Sequence, residues 1–112
     1  PRRAPLQVCL QVNVSGEASK SGVAPAEVPA LARAVAALPR LRLRGLMSIP
    51  EPVEGLAAQR RPHRVLRELL AALNADGLAL DTLSMGMSAD LDAAVAEGAT
   101  IVRIGTALFG AR

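Results

Sequence analysis

Four runs of apolar residues are separated by stretches with the period of an amphipathic helix, and this alternation restricts the chain to an α/β architecture. The runs, residues 6–14, 43–49, 82–87 and 101–104, are read as apolar strands and not as alternating ones. Strands covered on both faces by helices and a core read in this way, so the sheet is predicted to be parallel. A first helix is predicted over 25–38, with Val28, Leu31, Val35 and Leu38 on one face and Pro25 and Pro29 near its first turn. A second spans 56–75, where Val65, Leu66, Leu69, Leu70 and Leu73 form a stripe, and a short third follows Ser88, with Leu91, Ala94 and Val95 facing inward up to Gly98. Pro39, the pair Pro50 and Pro52, and Asp76-Gly77 punctuate the elements. The order is therefore β-α-β-α-β-α-β.

Such a unit is either a small open α/β domain or a segment of a (β/α)8 barrel. The loops with polar chemistry, after residues 14, 49, 87 and 104, all lie at the C-terminal ends of strands, which is the active face of a barrel. The chain also opens on Pro1 and enters a strand almost at once, and its 112 residues are slightly under half of the roughly 250 typical of that fold. We expect residues 1–112 to be a single partial domain, the C-terminal half of a (β/α)8 TIM barrel, with no internal repeat or linker. Four strands alone leave an open edge and an uncovered inner face, so the isolated half is expected to self-associate.

Composition narrows the functional classes. Hydrophobic residues make up 51% and charged residues 21%, yet no run approaches the roughly 20 apolar residues of a membrane span. Arg2 and Arg3 are not followed by an apolar signal core, because Gln7, Gln11 and Asn13 interrupt 6–14. The lone Cys9 has no internal disulfide partner and reads as a buried, inert thiol, which fits a cytoplasmic protein. The net charge of +3 comes from dispersed arginines, and one phenylalanine with no tyrosine or tryptophan leaves nothing on which to stack bases, so no nucleic-acid partner is expected. No metal is expected either: His63 has no histidine or cysteine partner at ligand spacing and is assigned to the surface or to packing.

The chemistry concentrates in two segments. Ser84-Met85-Gly86-Met87-Ser88 and Arg103-Ile104-Gly105-Thr106 each place hydroxyls and glycine amides just beyond a strand, as a bound phosphate requires. Gly86, Ser88, Gly105 and Thr106 form the natural phosphate group; the alternative makes Ser88 an ordinary N-cap, with Asp90 and Asp92 in the first helical turn, and the glycines ordinary loop residues. Arg103, within an apolar run, needs an acceptor. It is either an outward ion-pair arginine or an inward donor to an aromatic ring nitrogen. Lys20, the one lysine, lies in the loop Ser15-Gly16-Glu17-Ala18-Ser19-Lys20-Ser21-Gly22, which reads as a structured turn; it is also the one side-chain amine that could capture an aldehyde. Met47, Met85 and Met87 are assigned to core packing, the last two flanking Gly86.

These segments, with Asn13-Val14-Ser15 and Leu43-Arg44-Gly45-Leu46-Met47-Ser48-Ile49-Pro50, resemble the signature segments of the pyridoxal phosphate homeostasis proteins, whose fold is similar to the N-terminal barrel of alanine racemase. The resemblance runs through the whole chain in order. It implies pyridoxal 5'-phosphate as cofactor, phosphate contacts at Ser84, Gly86, Ser88, Gly105 and Thr106, and Arg103 facing the pyridine nitrogen. It also implies a non-catalytic carrier in cofactor homeostasis, a monomer or weak dimer at full length. The principal aldimine lysine of that family lies in the other half of the barrel and is not in this chain; Lys20 matches a second lysine. Two other functions stay open: a pyridoxal phosphate-dependent amino-acid racemase, whose opposite-face base no tyrosine here supplies, and an unrelated phosphate-binding barrel enzyme.

Overall fold

In the computed structural model, residues 5–14, 22–50, 53–87 and 90–102 are described. Strand β1 (Leu6–Gln11) is followed by a short 3-10 turn (Pro25–Glu27), helix α1 (Val28–Ala36), β2 (Leu41–Met47), α2 (Leu56–Ala75), β3 (Thr82–Ser84) and α3 (Leu91–Ala96). The strands pair in sequence order, β1 with β2 and β2 with β3, all parallel. Ile101 continues the series through a parallel bridge to Ser84.

The two faces of this sheet differ. Leu10, Leu46 and Leu83 lie in one row across the strands and are 9%, 0% and 4% exposed, packed in one cluster with Val28 and Ala32 of α1, Leu66 and Leu73 of α2, and Ala94 of α3. All three helices thus cover the same face. The opposite row, Gln11, Met47 and Ser84, remains half-buried, and Ile101 beside it is exposed. Two buried faces were expected; among the described residues only one is covered by helices, because the strands alternate and place Gln7, Cys9, Gln11, Thr82 and Ser84 on the side away from Leu10, Leu46 and Leu83.

The register shifts between Val8 and Cys9, where Val8 faces Leu43 and Cys9 faces Gly45, so Arg44 is the extra residue of a bulge. Gly45 is required there because a Cβ would stand 1.8 Å from the Thr82 carbonyl oxygen of β3. Several elements are shorter than predicted. The first strand stops at Gln11, with Val12 bridging Val23; the third stops at Ser84; and the residues after 102 that would extend the last one lie outside the described set. The α2 range matches the prediction.

Two inward assignments are corrected. Leu38 is 48% exposed because the helix ends at Ala36, and Ala32 supplies the buried position instead. Val95 is 60% exposed, since Ala93 and Ala94 form the inner face of α3.

Polar contacts then lock the helices. The Asn74 side chain donates to the Leu80 carbonyl at 2.9 Å and accepts from the Leu80 N–H at 2.8 Å, fixing the exit from α2 toward β3. Glu97, 1% exposed after α3, receives Arg60 at 2.7 Å, Arg67 at 2.9 Å and Arg64 at 3.5 Å, all from α2. Burial pushes this carboxyl upward, but the arginine hydrogen bonds and charges outweigh it and hold Glu97 below its ordinary value.

Candidate functional site at the carboxyl end of β3

Ser84 ends β3 between two buried neighbours, Leu83 and Met85, and alternation along the strand therefore sets its side chain toward the uncovered face. It sits at the sheet's C-terminal rim: it pairs with Met47 on one side and Ile101 on the other, and its carbonyl accepts the Ser48 N–H at 3.1 Å. Two residues on, Gly86 adopts φ +102°, a conformation that turns the chain sharply and that side-chain-bearing residues rarely take. A Cβ here would lie 2.4 Å from the Ala94 Cβ, so the glycine lets the turn close against α3. The expected reason for this glycine was backbone approach to a phosphate; the structure adds a packing reason.

The turn is held from below by a contact that sequence reasoning missed. His63 of α2 is fully buried, and its Nε2 lies 2.8 Å from Asp90 Oδ2. A carboxylate accepts, so Nε2 carries the proton, and Nδ1 has no partner among the described residues. The other carboxylate oxygen, Asp90 Oδ1, accepts the Met87 N–H at 2.7 Å, while the Asp90 N–H donates to the Met87 carbonyl at 3.1 Å. Of the two assignments for His63, packing survives and surface does not. Asp90 also occupies the position immediately before α3.

Ser84 and Gly86 are thus brought to one rim, and their chemistry, a hydroxyl and a sharply turned backbone, fits a phosphate group. Ser88, Arg103, Gly105, Thr106 and Lys20 lie outside the described residues. Ser48, 1% exposed and with a hydroxyl that has no partner among the described residues, is a second polar residue at this end, lying within a signature segment but given no role there. Of the methionines, Met85 is core, at 1% exposure, while Met87 is exposed and Met47 lies on the uncovered face.

Toward the other end of the strands, the uncovered face carries an ion pair. Arg44 Nη2 lies 2.7 Å from Asp81 Oδ2 and its Nε 3.0 Å from Oδ1, with Gln7 also bonded to the guanidinium. The Arg44 hydrogen bonds, helped by the Thr82 hydroxyl, hold the Asp81 carboxyl at about 2. Cys9 stands beside this pair, half-buried and not fully enclosed as expected, and burial raises its thiol above the ordinary value. Gln7, Val8, Cys9, Arg44, Thr82 and Ile101 line a hollow of about 290 Å³, and neither Ser84 nor Gly86 contributes to it. Among the described residues no group of acidic, cysteine or histidine side chains could hold a metal, and no helix is long and apolar enough to cross a membrane.

A parallel sheet with strands in sequence order, helices on one face and a polar C-terminal rim defines a class, and comparison with known proteins identifies it. The chain belongs to the alanine racemase N-terminal domain family, whose model matches residues 1–112. It is 71% identical over 108 residues to a pyridoxal phosphate homeostasis protein of Pseudomonas aeruginosa and 54% identical to that of Escherichia coli. In each case 96% of this chain is covered but 46% of the relative, so the chain spans about half the length of the curated relatives it matches. Among solved structures, an unknown protein of Bifidobacterium adolescentis superposes with a TM-score of 0.88 at 41% identity, covering 95% of this chain and 44% of that one. PipY of Synechococcus elongatus, with PLP bound, superposes at 0.80 with 35% identity, covering 96% and 50%. The resemblance to the pyridoxal phosphate homeostasis proteins read from the motifs is borne out by these relatives.

Proposed function

We propose that this chain is the C-terminal half of a (β/α)8 barrel that binds pyridoxal 5'-phosphate and serves cofactor homeostasis as a non-catalytic carrier in the cytoplasm. The observation that carries the reading is the asymmetry of the sheet. Consecutive parallel strands add to one edge while every helix packs on one face, which is how a barrel wall is built; a doubly wound sheet has helices on both faces. Ser84 and Gly86 then lie at the rim where barrels bind ligands. The relatives support the same ligand, since they are named for pyridoxal phosphate homeostasis and PipY is described with PLP bound.

In this reading Ser84, Gly86, Ser88, Gly105 and Thr106 hold the phosphate, and Arg103 donates to the pyridine nitrogen. When bound, the cofactor supplies an aldehyde that captures amines reversibly. An arginine against the ring nitrogen keeps that nitrogen unprotonated and weakens the electron sink that carbanion chemistry needs, which favours a carrier over a racemase. Lys20 is a second, subsidiary primary amine, and the principal capturing lysine belongs to the other half of the barrel. The complete protein is a monomer or weak dimer, whereas the half alone pairs through its open face.

Titration of the complete protein with pyridoxal phosphate, followed at the imine absorbance band and fixed with borohydride, is expected to show one stoichiometric adduct. No imine band overturns the cofactor assignment, and racemisation of L-alanine above background overturns the carrier role.

A further inference from the structure

We infer that buried His63, paired with the partly exposed Asp90, positions the turn after β3 for phosphate binding, an assignment that rests on the proposed cofactor reading. The pair makes one continuous connection between the longest helix and the rim. His63 is anchored in α2 with no exposed surface, its Nε2–H meets Asp90 at 2.8 Å, and Asp90 returns two bonds to Met87, one to its N–H and one from its own N–H to the Met87 carbonyl. Both backbone polar groups of Met87 are therefore tied to one carboxylate residue, which is itself tied to α2. At Gly86 the turn lies so close to α3 that a Cβ would stand 2.4 Å from that of Ala94, so the absence of a side chain lets the backbone pack there. The backbone that leaves Ser84 is clamped at two successive residues from two different helices.

Packing alone would not select a histidine here. Among the described residues Nδ1 has no partner, which is unfavourable for a buried nitrogen, and an aromatic hydrocarbon of similar size would fill the space without that loss. What the imidazole adds is a directed N–H to Asp90. A carboxylate left without that donor is free to swing away and release the Met87 N–H, loosening the turn beside the candidate phosphate residues while leaving the sheet intact. Asp90 and His63 are positioning residues in this scheme; neither is placed on the ligand.

The test compares pyridoxal phosphate with pyridoxal, which lacks the phosphate, on the complete protein. The wild type is expected to prefer pyridoxal phosphate strongly; equal affinity for both would overturn the underlying cofactor reading and this inference with it. His63→Phe is expected to weaken pyridoxal phosphate about tenfold, the size of one charge-assisted hydrogen bond, to change pyridoxal affinity less than about twofold, and to leave the melting temperature unchanged or raised. His63→Gln, whose amide N–H can still reach Asp90, is expected to restore most of the preference. Asp90→Ala should match His63→Phe, and the double variant should be no worse than Asp90→Ala alone. With a wild type that does prefer pyridoxal phosphate, equal losses for both ligands in His63→Phe, or no loss for either, would overturn the positioning role and leave the cofactor reading standing. The Met87 amide exchange rate separates the cases if a variant is unstable: faster exchange at Met87 alone supports the tether, and uniformly faster exchange refutes it.

Discussion

The two faces of one three-stranded sheet have opposite fates. Leu10, Leu46 and Leu83 are enclosed by three helices, while Gln11, Met47 and Ser84, one residue further along each strand, stay partly open. The strands alternate accordingly: Val8, Leu10, Leu46 and Leu83 lie on the covered side and Gln7, Cys9, Gln11, Thr82 and Ser84 on the other, with Met47 its large apolar member, so the period-two pattern marks the face that this chain covers. The covered face is solved within the chain. The other carries Arg44, Asp81, Cys9 and, at its rim, Ser84, and in the proposed barrel it is the interior completed by the other half.

The largest test of this contrast is a pair of truncations. Leu46→Ala, at 0% exposure, should cost about 4 kcal/mol in urea unfolding of the 112-residue chain. Met47→Ala, its neighbour on the other face, should cost under about 1 kcal/mol there, and considerably more in the complete protein, where the interior is closed. Similar losses at both positions in the isolated chain would mean that its two faces are equally enclosed and would break the comparison.

Gly86→Ala probes the rim, where the covered face meets the open one. An alanine would have to adopt φ +102° and place its Cβ 2.4 Å from that of Ala94, so a loss of about 2 kcal/mol is expected by chemical denaturation. An unchanged unfolding midpoint would show that the turn relaxes freely and that α3 does not set its shape.

A pH titration of stability sharpens the covered side further. The folded-state pKa of Glu97 lies below the ordinary 4.5. Its contribution is therefore complete above that value and is lost as pH falls through the folded-state pKa. Urea midpoints from pH 7 down to pH 3 should fall more steeply for the wild type than for Glu97→Gln. Parallel curves would mean that the three arginines of α2 are not coupled to this carboxylate.

The fold was legible because it depends on periodicity. The α2 stripe and the Val28 side of α1 emerge from apolar spacing alone, and the prolines and Asp76-Gly77 bound the elements. Errors came where spacing gives equal support to neighbours: in α3 both Ala94 and Val95 fit an inward face, and Ala93 with Ala94 forms it while Val95 is exposed. At the rim, Ser84 and Gly86 were readable as local motif residues. His63 with Asp90, and Glu97 with Arg60 and Arg67, were not, because these partners are 27 to 37 residues apart and meet only once α2 crosses α3. A lone histidine in a sequence has no visible partner until the packing supplies one.

The smallest expected effect is also the most specific to the open face. Asp81 titrates at about 2, held there first by hydrogen bonds from Arg44 and then by the Thr82 hydroxyl. The folded value is below the ordinary 3.8, so the pair's contribution is present above pH 3.8 and is lost as pH falls toward about 2. Yet the Arg44 and Asp81 side chains remain 34% and 60% exposed, and water screens a pair so placed. Arg44→Ala in the 112-residue chain should therefore move the Asp81 carboxyl back toward 3.8 in an NMR titration while barely shifting the urea midpoint at pH 7. In the complete protein the same substitution should be clearly destabilising, because closing the barrel would leave Asp81 charged and unpaired in a dry interior. If Arg44→Ala has the same small effect in both, the Arg44 side of the sheet stays in water in the complete protein, and the proposed barrel interior does not extend over it.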